Sequence, residues 1–416
     1  MEKNVLSEFA QILLADQLNY ETKNTSTEFA AFARMDDAPL VQYVDKLLCT
    51  AVERGASDIH LEPQAEEFRI RFRIDGLLYP IALLPPMVAQ RMISRLKIMA
   101  QLDIAERRMP QDGQFQISMT QTIDCRISTC PTIYGEKAVL RLLDTQKSVL
   151  SIEQLGMNAS QQIIFSQALT AAHGMILVTG PTGSGKTVTL YTALNYLNDT
   201  HLNITSIEDP VEIHLPGINQ VNVNRKAGLD FTAVLRSLLR QDPDIIMIGE
   251  MRDRETAEIG MHAAQTGHLV LSTLHTNNAA ETLTRLVNMG IPAYDLISSI
   301  RLIMAQRLAR CLCPFCKIPD IHSEQFCHDW KLSLTVHSTL FTAVGCPRCI
   351  QGYQGRTGIF ELLPMTEALI NAIAQGASAA AITERAHNLG YLSLQQSALE
   401  KLRQGLISIA ELKRIV

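Results

Sequence analysis

The chain has 416 residues, room for two to four domains at roughly 150 residues each. Lys and Arg number 37 against 42 Asp and Glu, a formal net charge of −5, which argues against a duplex-coating nucleic-acid binder. With 47% apolar and only 19% charged residues, the composition excludes disorder over most of the length and asks for large buried cores and interfaces.

No apolar run approaches the roughly 18 residues that a membrane helix needs. The start, MEKNVLSEFAQILLADQ, carries acidic residues and lacks the uninterrupted apolar centre of a signal peptide. A cytosolic chain is expected, whose nine cysteines are not paired as disulfides.

Residues 1–38 are moderately polar, with T-x-N-T-S-T at 22–27, and read as a helix plus a linker. Pro39 then opens a helix through VQYVDKLLCTAVER, with Val41, Val44, Leu48 and Val52 on one face and Gly55 as its stop. Period-2 alternation follows, Phe68, Ile70, Phe72 and Ile74 against Arg69, Arg71 and Arg73, and Asp75-Gly76 is a strong hairpin signal. For these three arginines a solvated strand face is the expected reading. Alternation recurs around Phe115 to Ile117 and Ile123 to Ile127, so residues 39–145 predict a small mixed α+β domain.

The pattern changes at about 146. Short apolar runs (MILVTG at 175, NITSIE at 203, DIIMIGE at 244, HLVLSTLH at 268) alternate with long amphipathic segments, as in a parallel sheet covered on both faces. Residues 146–305 are assigned to this core and 306–357, with little periodicity, to a cysteine-bearing element. The remainder, 358–416, is helical, and its last helix opens with a capping box, Ser408-x-x-Glu411.

Gly180-Pro181-Thr182-Gly183-Ser184-Gly185-Lys186-Thr187 fits G-x-x-x-x-G-K-[ST] in full, after an apolar strand and before the helix VTLYTALNYL. Glycines let backbone N–H groups curl around phosphates, and the helix N-terminus adds positive potential. Lys186 is expected on the β and γ phosphates of ATP, and the Thr187 hydroxyl on Mg²⁺.

Two strand-end acidic clusters follow, DIIMIGE ending in Glu250 and Glu208-Asp209-Pro210-Val211-Glu212. Parallel strands bring such ends to one edge of the sheet, where ligands bind. Either carboxylate can hold the Mg²⁺ water shell or polarise the attacking water, and the choice between them stays open. His268 and His275, seven residues apart around LVLSTL, fall on opposite faces of a strand and cannot share a metal there. His275, at the carboxyl end, is the better candidate for a γ-phosphate contact.

Cys313-Pro-Phe-Cys316 and Cys346-Pro-Arg-Cys349, with 29 residues between the pairs, present four thiols to one tetrahedral Zn²⁺. With no open position, that site is expected to be structural. Cys311 and Cys327 are surplus, and Cys49, Cys125 and Cys130 read as core residues.

With these motifs in order, the chain resembles the secretion ATPases of bacterial type II secretion and type IV pilus assembly. The resemblance rests on GPTGSGKT, TSIEDPVE, LRSLLRQDPDIIMIGEMRD, TGHLVLSTLHTN, the cysteine pairs, SDIHLEP, RFRIDGLL and PQDGQF, and covers about residues 39–416. It implies an α/β fold, a RecA-like P-loop motor joined to an N-side PAS-like α+β domain, with an inserted zinc-binding element and a C-terminal helical part. It also implies a hexameric ring on the cytoplasmic face of the inner membrane, driving a platform protein, with no direct nucleic-acid partner. By motif, Arg126 (IDCRIST) and Arg141 (VLRLL) are the N-side arginines of the ATP pocket. Arg236 and Arg240 in LRSLLR, and Arg356 in GYQGRTG, are implicated in nucleotide or interface contacts. Retraction motors generally lack the cysteine knuckles. Rival readings are a nucleic-acid translocase on the same core, which would need a basic path and stacking aromatics, and a slow nucleotide-sensing scaffold. Full-length members carry a further N-terminal domain that docks on a membrane-bound assembly protein. Only about 38 residues precede the PAS-like part here, so a shorter system and a truncated start both fit.

Overall fold

The computed structural model describes residues 38–118, 122–143, 150–321, 323–330 and 339–416. The N-terminal helix and linker expected before Ala38 lie outside the described residues. The chain divides into two compact units, Met1–Thr145 and Gln146–Val416.

In the first unit, α1 (Ala38–Glu53) precedes β1 (Ala56–Pro63), β2 (Phe68–Ile74) and β3 (Leu77–Leu84). Helix α2 (Pro86–Met99) then leads to β4 (Gln111–Ser118), β5 (Thr122–Thr132) and β6 (Gly135–Leu143). The strands make one antiparallel sheet in the order β3-β2-β1-β6-β5-β4. Ile74 pairs with Leu77 across Asp75-Gly76, both at positive φ (49° and 85°), the two-residue turn whose twist matches the strands. The expected alternation holds in β2, where Phe68, Ile70, Phe72 and Ile74 are buried with Tyr43 and Met92 of the helices. In α1 the buried stripe is Leu40, Tyr43, Val44, Leu47, Leu48 and Ala51. Val41 and Val52 are half-buried, at the margin of that stripe.

The second unit opens with α3 (Ala159–Leu169), β7 (Gly174–Thr179), α4 (Lys186–Leu197), β8 (Ile204–Glu208) and β9 (Asn219–Asn222). Next come α5 (Phe231–Leu238), β10 (Ile245–Ile248), α6 (Arg254–Gln265), β11 (Leu269–Leu274), α7 (Ala279–Asn288), α8 (Ala293–Ser299) and β12 (Ile300–Leu312). Two short strands, β13 (Ile318–Pro319) and β14 (Phe341–Thr342), flank α9 (Ser323–Asp329), and β15 (Tyr353–Pro364) returns along β12. Four helices finish the chain: α10 (Glu367–Ala374), α11 (Ala379–Asn388), α12 (Leu394–Arg403) and α13 (Ile409–Ile415).

The main sheet runs β15-β12-β7-β11-β10-β8-β9, parallel throughout except for the β12–β15 pair. Every residue of β7 is buried because helices cover both faces. Met175 and Leu177 point toward α5–α8, and Ile176 and Val178 toward α3 and α4. Strand β12 outruns β7, whose last residue, Thr179, pairs with Ala305. From Gln306 onward β12 passes the phosphate loop and reaches the cysteines, so one hydrogen-bond ladder with β15 runs through the expected divisions at 305/306 and 357/358. A third core, with Phe326, Leu340, Leu402, Ile407 and Leu412, caps that far end. In α13 half of the expected capping box forms. Ser408 Oγ accepts from Glu411 N, but the Glu411 carboxylate is drawn off by the buried Arg310, at 2.9 Å, and by Arg414. No helix among the described residues is long and apolar enough to cross a membrane.

Candidate active site

The motif from Gly180 to Thr187 leaves the buried strand β7 and enters α4 at Lys186. Gly180 sits at φ 148°, and a Cβ there would lie 2.4 Å from the Gln306 carbonyl oxygen of β12. Gly185 sits at φ 90°, with the Gln306 amide 2.8 Å from where its Cβ would be. The neighbouring strand thus presses on the loop closely enough that only glycine fits. Pro181, Thr182 and Gly183 form the exposed rim, Ser184 is buried, and Thr187 is half-buried in the first turn of α4. Lys186 is 8% exposed, and its Nζ donates to the Gly180 and Pro181 carbonyls at 2.7 and 3.1 Å. Burial pulls this amine down to about 8; Glu250 opposes the shift and Arg307 adds to it. The Ser184 hydroxyl is buried without a partner. A cradle of backbone donors, a masked ammonium and an orphan hydroxyl fit a phosphate group.

Glu250 follows β10 and His275 follows β11, so both stand at the carboxyl edge beside the loop. His275 Nε2 lies 3.9 Å from Glu250 Oε2, and Arg252 pairs with the other Glu250 oxygen. His275 is pushed below its ordinary value by burial and by Lys186, Glu250 pulling the other way. A cleft of about 490 Å³ beside Pro181 and His275 is lined by Thr276, Asn277, Glu281 and Arg285. His268, by contrast, puts Nδ1 2.9 Å from the Ala263 carbonyl and serves the end of α6.

Glu208 is placed differently from Glu250. It is 4% exposed and accepts from Ser206 Oγ at 2.6 Å, from Gln220 Nε2 at 3.3 Å and from the Tyr191 hydroxyl. Burial raises its carboxyl above the usual range against those bonds. Tyr191 in turn accepts from the Glu212 and Ile213 amides at 3.2 and 3.4 Å. The acidic loop is therefore fastened to the helix that begins at the phosphate loop.

The four expected thiols come together. Cys313 directly follows β12, its N–H donating to Gly352 O at 2.8 Å. The Sγ atoms of Cys313, Cys316, Cys346 and Cys349 all lie within 4.8 Å of one another, with neighbouring pairs at 3.7 to 3.8 Å. A tetrahedron with metal–sulfur bonds of about 2.3 Å has edges of about 3.8 Å, so donor type and spacing both fit a tetrahedral ion.

A family model described as "Type II/IV secretion system protein" matches residues 33–414. The chain belongs to the type II/IV secretion system protein family. Within it, the chain is 50% identical over 402 residues to the type IV pilus assembly ATPase PilB of Pseudomonas aeruginosa, covering 96% of this chain and 71% of that protein. It is 44% identical to the type II secretion system protein E of the same organism, over 91% of this chain and 76% of the relative. Among solved structures, the pilus retraction motor PilT with bound ADP is 26% identical, with a TM-score of 0.59, covering 89% of this chain and 96% of that one.

In this member of the type II/IV secretion system family, the expected arginines are divided between the two units. Arg126 and Arg141 belong to the first unit, facing each other across β5 and β6, with Arg141 bonded to Asp58 at 3.1 Å. Arg69, Arg71 and Arg73 are not left to solvent as expected. Glu62 takes Arg71 through two bonds of 2.8 and 2.9 Å, Arg69 at 3.4 Å and Lys137 at 3.1 Å, while Arg73 leans on Asp58. Burial opposes ionisation of Glu62, but Arg71 and Lys137 outweigh it and hold the carboxyl at about 2. In the second unit, Arg236 pairs with Glu255 at 2.7 Å on the exposed side of α5, and Arg240, just past the end of that helix, bonds the Arg236 carbonyl. Arg356 pairs across the sheet with Arg310, two positions past Leu308, whose side chain borders Gly185 of the loop.

Sequence reasoning passed over Gln306 and Arg307. Gln306 is 2% exposed, and its side chain accepts from Thr189 of α4 at 2.8 Å. The signal was a Gln-Arg pair at the centre of a strand that also carries Arg301 and Arg310, meaningful only once β12 is known to lie beside β7.

Proposed function

We propose that the chain is the motor subunit of a type IV pilus assembly machine, hydrolysing ATP with Mg²⁺ in a hexameric ring against an inner-membrane platform protein at the cytoplasmic face. The observation that carries this is the meeting of Lys186, Glu250 and His275 at one sheet edge, in a chain 50% identical to a pilus assembly ATPase. The 44% identity to a type II secretion protein makes secretion the second reading.

In this reading Lys186 turns from the Gly180 and Pro181 carbonyls onto the β and γ phosphates. The Thr187 hydroxyl holds Mg²⁺, which when bound neutralises charge on the phosphate oxygens. Glu250, with Oε2 3.9 Å from His275, polarises the attacking water. His275 offers one N–H to the γ-phosphate. Glu208 is assigned a positioning role, since its oxygens are taken by Tyr191, Ser206 and Gln220. Arg126 and Arg141 bring positive charge to the nucleotide from the N-side unit, with Arg236, Arg240 and Arg356 at subunit contacts. The four thiols hold zinc as a structural ion, without an open position.

Glu250→Gln and Glu208→Gln separate the carboxylates. Glu250→Gln is expected to lower kcat by about 10² to 10³ while ATP still binds, a loss typical of a misdirected nucleophile. Glu208→Gln is expected to lower the unfolding temperature with a smaller change in kcat. An unaltered kcat in Glu250→Gln would remove that residue from the reaction.

A further inference from the structure

We propose that Arg307 is a positioning residue of the hydrolytic site, setting the His275 loop against the phosphate loop. The inference rests on the reading of His275 as the γ-phosphate contact.

The loop after His275 is tied down on two sides. On one, Thr276 N donates at 2.9 Å to Thr179 Oγ1, the last residue of β7 and the one before Gly180. The Thr276 hydroxyl lies 2.7 Å from both the Thr179 and Thr282 hydroxyls, linking β7 to α7. On the other side stands Arg307. Its Nη1 donates to the Gln306 carbonyl at 3.1 Å and its Nη2 to the Asn277 carbonyl at 2.8 Å. The Gln306 oxygen is the atom that a Cβ on Gly180 would strike. One guanidinium therefore bridges the carbonyl beneath the first glycine of the phosphate loop and the carbonyl two residues beyond His275.

The side chain suits that task. A planar fork with fixed donor directions sets a distance between two acceptors, which a flexible ammonium does less well. Burial disfavours its charge, and Glu361 and Glu281 favour it. Glu361 is fixed in turn, accepting from Ala279 N at 2.8 Å and Leu394 N at 3.2 Å, the first residues of α7 and α12. The two bonds from Arg307 that fix the loop go to carbonyls of the protein, and the role proposed for it is exercised through that loop.

The test compares Arg307→Met, Arg307→Lys, His275→Ala and the Arg307→Met/His275→Ala double variant in the full chain. It measures kcat and KM for ATP, with thermal unfolding as the check on folding. Arg307→Met is expected to lose about 10- to 100-fold in kcat, the effect of a small misplacement near the reacting atoms. KM is expected to stay within about threefold, lysine to restore part of kcat, and the double variant to be no worse than the poorer single one. Should the methionine variant unfold, the lysine variant carries the same cycle. Losses that multiply in the double variant, a loss confined to KM, or an unaltered kcat in Arg307→Met would each overturn the proposal. An unaltered kcat in His275→Ala would overturn the reading of His275 itself; a loss persisting in Arg307→Met would then assign Arg307 a direct contact with nucleotide.

Discussion

Lys186 enters the reaction from a buried position that disfavours its charge. Burial brings its amine to about 8 without nucleotide, and a bound triphosphate favours the protonated form, so binding above that pH requires proton uptake. ATP affinity is therefore expected to be flat from pH 6 to 7.5 and to weaken by up to about tenfold per pH unit well above 8. Titration with a fluorescent ATP analogue checks this, and an affinity constant to pH 10 contradicts it. The strand–loop–helix setting of Lys186 and Thr187 and the meeting of the four cysteines were legible because each depends on spacing within a few residues. Glu208 was named as a candidate, but its burial was not legible, since the hydroxyls of Tyr191 and Ser206 and the amide of Gln220 that occupy it are brought in by tertiary packing.

Strands carry the chemistry here, and the β12–β15 hairpin carries two parts of it. Its near half supports the phosphate loop through Gln306, and its far end presents Cys313. Removing the metal by chelation, or Cys313→Ser, is expected to eliminate about one bound zinc per chain. Amide exchange is expected to quicken around Leu312, Tyr353 and α13 while β7 stays protected. Equal loss of protection in β7 would show that the far end is not a separate cooperative unit. The period-2 signal of β2 and the Asp75-Gly76 turn were readable because they are local. The true stripe of α1 and the length of β12 were not: the first depends on what Tyr43 packs against, the second on a partner strand some fifty residues away.

At the scale of the whole molecule, the parallel order of the main sheet followed from apolar runs separated by helices, because only a sheet covered on both faces hides such strands. Sequence could not indicate that Arg126 and Arg141 face each other across β5 and β6, because strand pairing is decided by the whole sheet. With those arginines on the first unit, turnover in the proposed ring is expected to depend on how chains assemble. The most direct measurement is phosphate release against protein concentration, with Mg²⁺ and zinc present, for the native chain and Lys186→Ala. The expected result is a specific rate that rises with concentration and vanishes in the variant. A rate identical in the two proteins at every concentration would contradict the motor.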